Sequence, residues 1–458
     1  MLQTMKNWLF DKDFYKQVLV IAIPLMVQQV IMSSVNLIDN LMVGQLGDAT
    51  IGGVGVVNRY YMIANFGANG FVASACIFIA QYFGAKDFKR LKQTFSLGIF
   101  GTYVIIIPFT LLALLAPDVI LYFFTDDVAY VAQGIHYLEV VAYSFLPAAL
   151  TMIIAGTMRS CGEIKVPLFA NILAVFTNAI LNYIFIFGKF GAPAMGVVGA
   201  ALATLISRII EAIILLVFVK LRDYDFKVSL NRLFDIPREL IKKVTLKAIP
   251  LVTNEVLWGS GMAMLLKLYA TRGADVITAY SVAGTTSDIF YSLFNGMAGA
   301  TTIIVGQKLG ANKLEEARKN GYQMILFSTM LAVLFGIMMF GASFIVPGLY
   351  DLTPHTKELA TNLIRVLSVL FWIFMINAEC YFIMRAGGDT KNTFLMDSCF
   401  MWLVNIPIVA SVAYLTDLNI YYVYTIAQLT DLLKMALSFY MIRKEGWVRN
   451  LTEMSHEL

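Results

Sequence analysis

The residues in this chain that could do chemistry are carboxyls and amides set inside long apolar stretches. A charged side chain at the centre of a bilayer costs about 2.5–3.5 kcal/mol on insertion scales, so each one there needs a partner, water or a purpose. Glu255 lies roughly 16 Å into its apolar stretch at about 1.5 Å per residue, near the middle of a bilayer. No opposite charge stands three or four positions from it, and a carboxyl so placed can trade a proton for a cation. It is the first candidate for ion coupling.

Asp39 lies toward the far end of the first stretch, which also displays Gln29, Ser33, Asn36 and Asn40 at spacings of three and four, a polar stripe along one helical face. In the fifth stretch Asn178 and Asn182 follow Asn171 by seven and eleven residues, and each lies only about 20° from it around the helix axis. A carboxylate with several amide oxygens suits either a hard cation such as Na⁺ or a proton, and the residue types leave that choice open. Gln29, Ser33, Asn36 and Asn171 are expected as polar lining of a cavity. Asp288 and Glu379 are candidates for the lining of its second half, with interhelical hydrogen bonding as the alternative role. Asp397 stands near the start of its stretch and reads as interfacial. Arg208 with Glu211, and Lys434 with Asp431, read as local ion pairs three residues apart.

Positioning such groups takes helices. Of the 458 residues 59% are hydrophobic and only 14% charged, with a mean hydropathy of +0.74. Soluble domains carry about 45–50% apolar and about 25% charged residues, so the composition is that of a polytopic membrane protein. Apolar windows predict twelve spans, over 15–41, 51–80, 95–117, 129–156, 166–187, 194–219, 244–270, 276–305, 322–349, 358–384, 393–415 and 420–442. Strand-like alternation is absent, and lipid-exposed backbone must satisfy itself, so the fold class is all-α. The first run continues from Val18 to Leu41 with no small-residue cleavage site and reads as a span.

Lysine and arginine fall unevenly on alternate loops, 26 on one side against Lys189, Arg272 and Lys357 on the other. That bias places both termini of a multi-pass protein in the cytoplasm. The chain also repeats at an offset of 226 residues: Ala22-Ile23-Pro24-Leu25 returns as Ala248-Ile249-Pro250-Leu251, Gln81/Gly84/Ala85 as Gln307/Gly310/Ala311, and Arg159/Gly162/Lys165 as Arg385/Gly388/Lys391. One offset shared by three separated blocks marks an internal duplication. It divides the chain into a six-helix half over 1–219, a basic connector over 220–243 and a second six-helix half with a short tail over 244–458. Parallel repeats of this kind enclose a cavity in transporters that alternate access, and Pro24 and Pro250 can bend the matched helices.

Other classes are excluded by what the sequence lacks. Cys76, Cys161, Cys380 and Cys399 have neither metal-ligand spacing nor a disulfide pattern, and they read as small packing residues. His136, His355 and His456 are scattered, and neither an H-E-x-x-H sequence nor a Walker A loop occurs, so an enzyme is not expected. No cofactor and no nucleic-acid partner is expected, and the chain is read as a monomer among lipids.

The stretch 37–47, running L-I-D-N-L-M-V-G-Q-L-G, resembles the multidrug and toxic compound extrusion (MATE) family. So do the Gln81/Gly84/Ala85 block, the loop 159–167, the run 188–204 and the echo 384–390, and the resemblance covers nearly the whole chain. The resemblance implies twelve helices in two pseudo-symmetric six-helix bundles. It also implies export of organic cations, drugs or amphiphilic metabolites against inward Na⁺ or H⁺. Carried over by position, the family's first-helix acid falls on Asp39 and its cation-site neighbours on Asn178 and Thr204, with Asn182 where the family often has Asp. Glu255 resembles the seventh-helix acid of several bacterial members, which makes it the other possible Na⁺ position. A flippase for lipid-linked oligosaccharides from the same superfamily is the alternative function, and it would need several cationic side chains in its cavity.

Overall fold

The computed structural model describes residues 11–350 and 352–453, leaving out the side chains of Asn36, Leu37, Asn40, Leu230 and Ala274. The Asn36 position in the expected stripe therefore lies outside the described side chains. Among the described residues twelve long helices follow one another: α1 Lys12–Gly44, α2 Asp48–Gly84, α3 Phe88–Leu115, α4 Val128–Ser160, α5 Lys165–Phe187, α6 Gly196–Leu221, α7 Arg238–Ala270, α8 Ala274–Gly310, α9 Leu314–Ala342, α10 Pro354–Ala386, α11 Thr390–Leu415 and α12 Ile420–Arg443. Eleven are long and apolar enough among the described residues to cross a membrane. The remaining one, α12, has 24 residues but interrupts its apolar run with Gln428, Asp431 and Lys434. The protein is an all-α membrane protein of two pseudo-symmetric six-helix bundles.

Most helices start before their apolar windows because charged and polar residues continue the helix. In α9 the first turn holds Glu315 and Glu316, which suit the positive end of a helix dipole, so the helix starts at Leu314; it stops at Ala342. Its expected tail becomes a separate short turn at Val346–Leu349. Asp11 starts α1 by accepting from the Phe14 amide at 3.2 Å. Lys319 donates to the same carboxyl at 2.7 Å and holds it below the usual carboxylate range.

The duplication is written into the backbone as well as the sequence. Positive φ occurs at Gly47 and Gly273, at Lys86 and Asn312, and at Gly162 and Gly388, each pair 226 residues apart. Between α2 and α3, Lys86 takes the left-handed turn and Asp87 then caps α3 by accepting from the Arg90 amide at 3.1 Å. Glycines repeat for packing too. A Cβ on Gly70 of α2 would meet the Val252 backbone at 2.7 Å, and one on Gly296 of α8 would meet the Met26 backbone nitrogen at 2.5 Å. Small residues here let backbones approach closely.

The helices form two compact units, one holding the described residues up to Met26 and from Thr253 onward, the other Val27–Val252. Each boundary falls two residues beyond a helix proline, Pro24 in α1 and Pro250 in α7. The core of the Val27–Val252 unit centres on Val57, Ala64, Leu138, Phe145 and Ala201. That of the other unit centres on Ala22, Met297, Phe371, Met384 and Trp447. All four cysteines are free.

Two irregularities carry no sequence signal. Helix α4 tightens into a 3₁₀ turn at Ala142–Ser144, and α11 widens into π turns at Leu395–Cys399 and Met401–Asn405. Within α11 the π turns move the residue that faces α12 by one position, while α12 itself keeps the 226-residue offset. In the first repeat Asn178 donates to Thr204 at 3.3 Å, and in the second Asn405, not residue 404, donates to Thr430 at 2.6 Å.

Candidate functional site

Asp39 is the end point of a hydrogen-bond relay inside the Val27–Val252 unit. Asn182 of α5 donates to Asp39 and also to Asn178 at 3.4 Å, and Asn178 donates to Thr204 of α6 at 3.3 Å. The Thr204 hydroxyl in turn donates to the Ala200 carbonyl at 3.1 Å. Asn178 and Asn182 can act together because four residues bring them to one face of α5. Asn182 is wholly buried, and its amide oxygen has no hydrogen-bond partner. No basic side chain pairs with Asp39 among the described residues. A carboxylate without a counter-ion beside an orphaned amide oxygen is a place for a mobile cation or proton.

The relay opens onto a cavity of about 430 Å³ lined by Asp39, Asn178, Thr204, Asn58, Tyr61, Met62, Asn65, Phe145 and Arg208 among others. Asn182 stands behind that wall. Asn58, Tyr61 and Asn65 are not among the residues singled out from the sequence, although their spacings of three and four along α2 follow the same rule that finds the α5 stripe. Gln29 and Ser33 are half-buried and do not line this cavity. Asn171, expected on the same lining, is instead engaged away from it. It donates to Glu211 at 3.3 Å, and Glu211 pairs with Arg208 at 2.9 Å as their spacing predicts.

The other unit gathers a different cluster. Glu255 is half-buried on α7 next to Asn254, with Arg385 and Asp397 the charges that act on it. Asn254 donates to Asp397 at 3.0 Å and accepts from the Ser398 hydroxyl at 2.7 Å. Lys434 pairs with Asp397 at 2.7 Å, which corrects the expected local pairing with Asp431. Asp397 is accordingly an internal ion-pair partner, because α11 presents it to Asn254 and Lys434. Glu379 is fully buried, with one carboxyl oxygen bonded by Thr301 and the other by Ser328 at 2.7 Å, which is the interhelical role. Asp288 is exposed on α8. Glu255, Asp288 and Glu379 are therefore not brought together. No cluster of three or more His, Cys, Asp or Glu able to hold a metal occurs among the described residues.

Two repeated six-helix bundles, with an unpaired carboxylate and amides in the wall of an internal cavity, define a membrane transporter fold. The MatE family model matches residues 24–184 and again 250–410, at the 226-residue offset of the repeat, and the chain belongs to that family. It is similar to a probable multidrug resistance protein NorM of Oceanobacillus iheyensis, 27% identical over 409 residues covering 86% of this chain and 89% of the relative. The corresponding protein of Halalkalibacterium halodurans is 26% identical over 397 residues, 86% of each chain. Among solved structures, a MATE protein in complex with MaL6 superposes with a TM-score of 0.87 at 20% identity, covering 94% of this chain and 96% of that one. An outward-facing multidrug resistance MATE family transporter gives 0.85 at 19% identity, with 94% and 96% covered.

Proposed function

We propose that the protein is a secondary antiporter that exports organic cations, drugs or amphiphilic metabolites in exchange for Na⁺ or H⁺. The observation that carries this reading is Asp39, an unpaired carboxylate that both lines the cavity and ends the Asn182–Asn178–Thr204 relay. An ion held there favours one arrangement of the helices, substrate favours the other, and the difference in affinity drives exchange. Hard oxygens from Asp39, Asn178, Asn182 and Thr204 suit Na⁺, and Asp39 alone suits a proton. Coupling is assigned to Asp39 ahead of Glu255, since Lys434 and Arg385 already supply cations to the cluster around Glu255.

The names of the relatives, probable multidrug resistance proteins, support export of foreign compounds. Membership of a multi-span transporter family supports a plasma-membrane location, and the loop charge bias supports cytoplasmic termini. No cofactor and no chemical conversion of the substrate are part of the scheme, and a single chain suffices for it. The flippase alternative is disfavoured because Arg208 is the one basic residue in the cavity wall among the described residues, where a pyrophosphate would call for several. The test is transport of a fluorescent organic cation in proteoliposomes with Na⁺ and proton gradients imposed separately. One gradient should drive uphill movement and the other should not. Equal, purely downhill movement under both would overturn antiport.

A further inference from the structure

We propose that Arg208 anchors an acidic group of the substrate, so that the cavity of the Val27–Val252 unit prefers compounds carrying a carboxylate beside their cationic or aromatic body. This rests on the transport reading and narrows its substrate class. Arg208 lies on α6 one helical turn after Thr204, about 6 Å further along the axis. One guanidinium nitrogen bonds Glu211 at 2.9 Å, and Asn171 takes the other Glu211 oxygen at 3.3 Å. Glu211 is thus engaged on both sides from the protein interior, with only 7% of its side chain exposed. A guanidinium has five N–H donors, and Glu211 uses one. Arg208 keeps 34% of its side chain exposed and lines the cavity, so the remaining fork is offered to whatever enters.

The repeat supplies a contrast. At the 226-residue offset stands Lys434, whose side chain is 14% exposed and closed off by Asp397 at 2.7 Å. A base needed only to neutralise a buried acid looks like Lys434. Arg208 instead pairs inward and still presents a planar donor fork, the geometry that matches a carboxylate with two parallel bonds. Asp39 and Arg208 give the same 430 Å³ space one acidic and one basic group. A plain cation meets attraction at Asp39 and repulsion at Arg208, whereas a zwitterion satisfies both.

The experiment compares a fluorescent rhodamine bearing a free carboxylate with its methyl ester, which lacks the acid and keeps the cation. Binding to the purified full chain is read by fluorescence polarisation, and export is read in proteoliposomes. The wild type should bind the acid about tenfold more tightly than the ester, the value of one well-formed charged contact. The R208Q/E211Q double variant removes the pair without stranding a buried charge, and the acid-to-ester ratio should collapse toward one. If that variant does not fold, R208K retains the charge opposite Glu211 but lacks the fork, and the ratio should fall several-fold. An equal affinity of the wild type for both compounds, or an undiminished ratio in the folded variant, overturns the proposal. Failure of the wild type to export either compound, with the acid preference in binding intact, would instead support the anchor and count against the transport reading alone.

Discussion

Asp39 and Lys434 show what a carboxylate and an ammonium can do in a low-dielectric interior. Asp39 and Asn182 are legible in the sequence because an apolar helix that spends residues on amides at helical spacing needs a reason. The Lys434 partner is not legible. An acid three residues away is a sufficient local explanation, and only the packing of α11 on α12 reveals that Asp397 takes the ammonium instead. Since both partners are mostly buried, K434M should leave an uncompensated carboxylate and destabilise the protein by about 3–5 kcal/mol. K434M/D397L should recover most of that loss in thermal unfolding in detergent, and a double variant as unstable as the single would contradict the pairing. Glu379 departs from the cavity-lining expectation for a similar reason: its depth is visible in the sequence, but the hydroxyls of Thr301 and Ser328 that occupy it come from two other helices.

At the scale of elements, the apolar windows locate all twelve long helices but not the short helix Pro117–Phe124, and side-chain caps mark the start of several, as at Asp87, Asp127, Thr353 and Asn419. What stays hidden is register. The π turns of α11 leave no mark in composition, yet they bring Asn405 to Thr430. The close approach of α2 and α7 at Gly70 gives a direct check, because a side chain there collides with the Val252 backbone while Gly55 of the same helix faces open space. We expect G70V to cost about 1–3 kcal/mol or more, and G55A to be neutral or slightly stabilising, in thermal melts of the purified protein. The tie between α1 and α9 is a pH effect. Lys319 holds the Asp11 carboxyl below the ordinary aspartate value of 3.8, so the ionised pair contributes stability above about pH 4 and loses it as pH falls through the lowered value. Asp11 and Lys319 are partly exposed, which limits the contribution to at most about 1 kcal/mol. Acid titration of D11N should show that increment absent, and an unchanged acid limb would remove the tie from the account.

For the whole molecule, one number organises sequence, backbone and family. The 226-residue offset relates the sequence blocks, the left-handed turns, the glycine contacts and the two matches to the family model. The duplicated halves have nonetheless diverged in their polar groups. Asp39 corresponds by offset to Leu265, and Glu255 to Gln29, so each half keeps an acid that the other lacks. That asymmetry is why the family resemblance alone does not identify the coupling residue, whereas the cavity and the relay favour Asp39. The decisive measurement is gradient-driven export of a fluorescent cation in proteoliposomes by wild type, D39N and E255Q, each checked for folding by its melting temperature. The account expects D39N to lose uphill export by at least about tenfold while melting normally, since Asn can still accept from Asn182. Uphill export by D39N at the wild-type rate, with loss confined to E255Q, would contradict it.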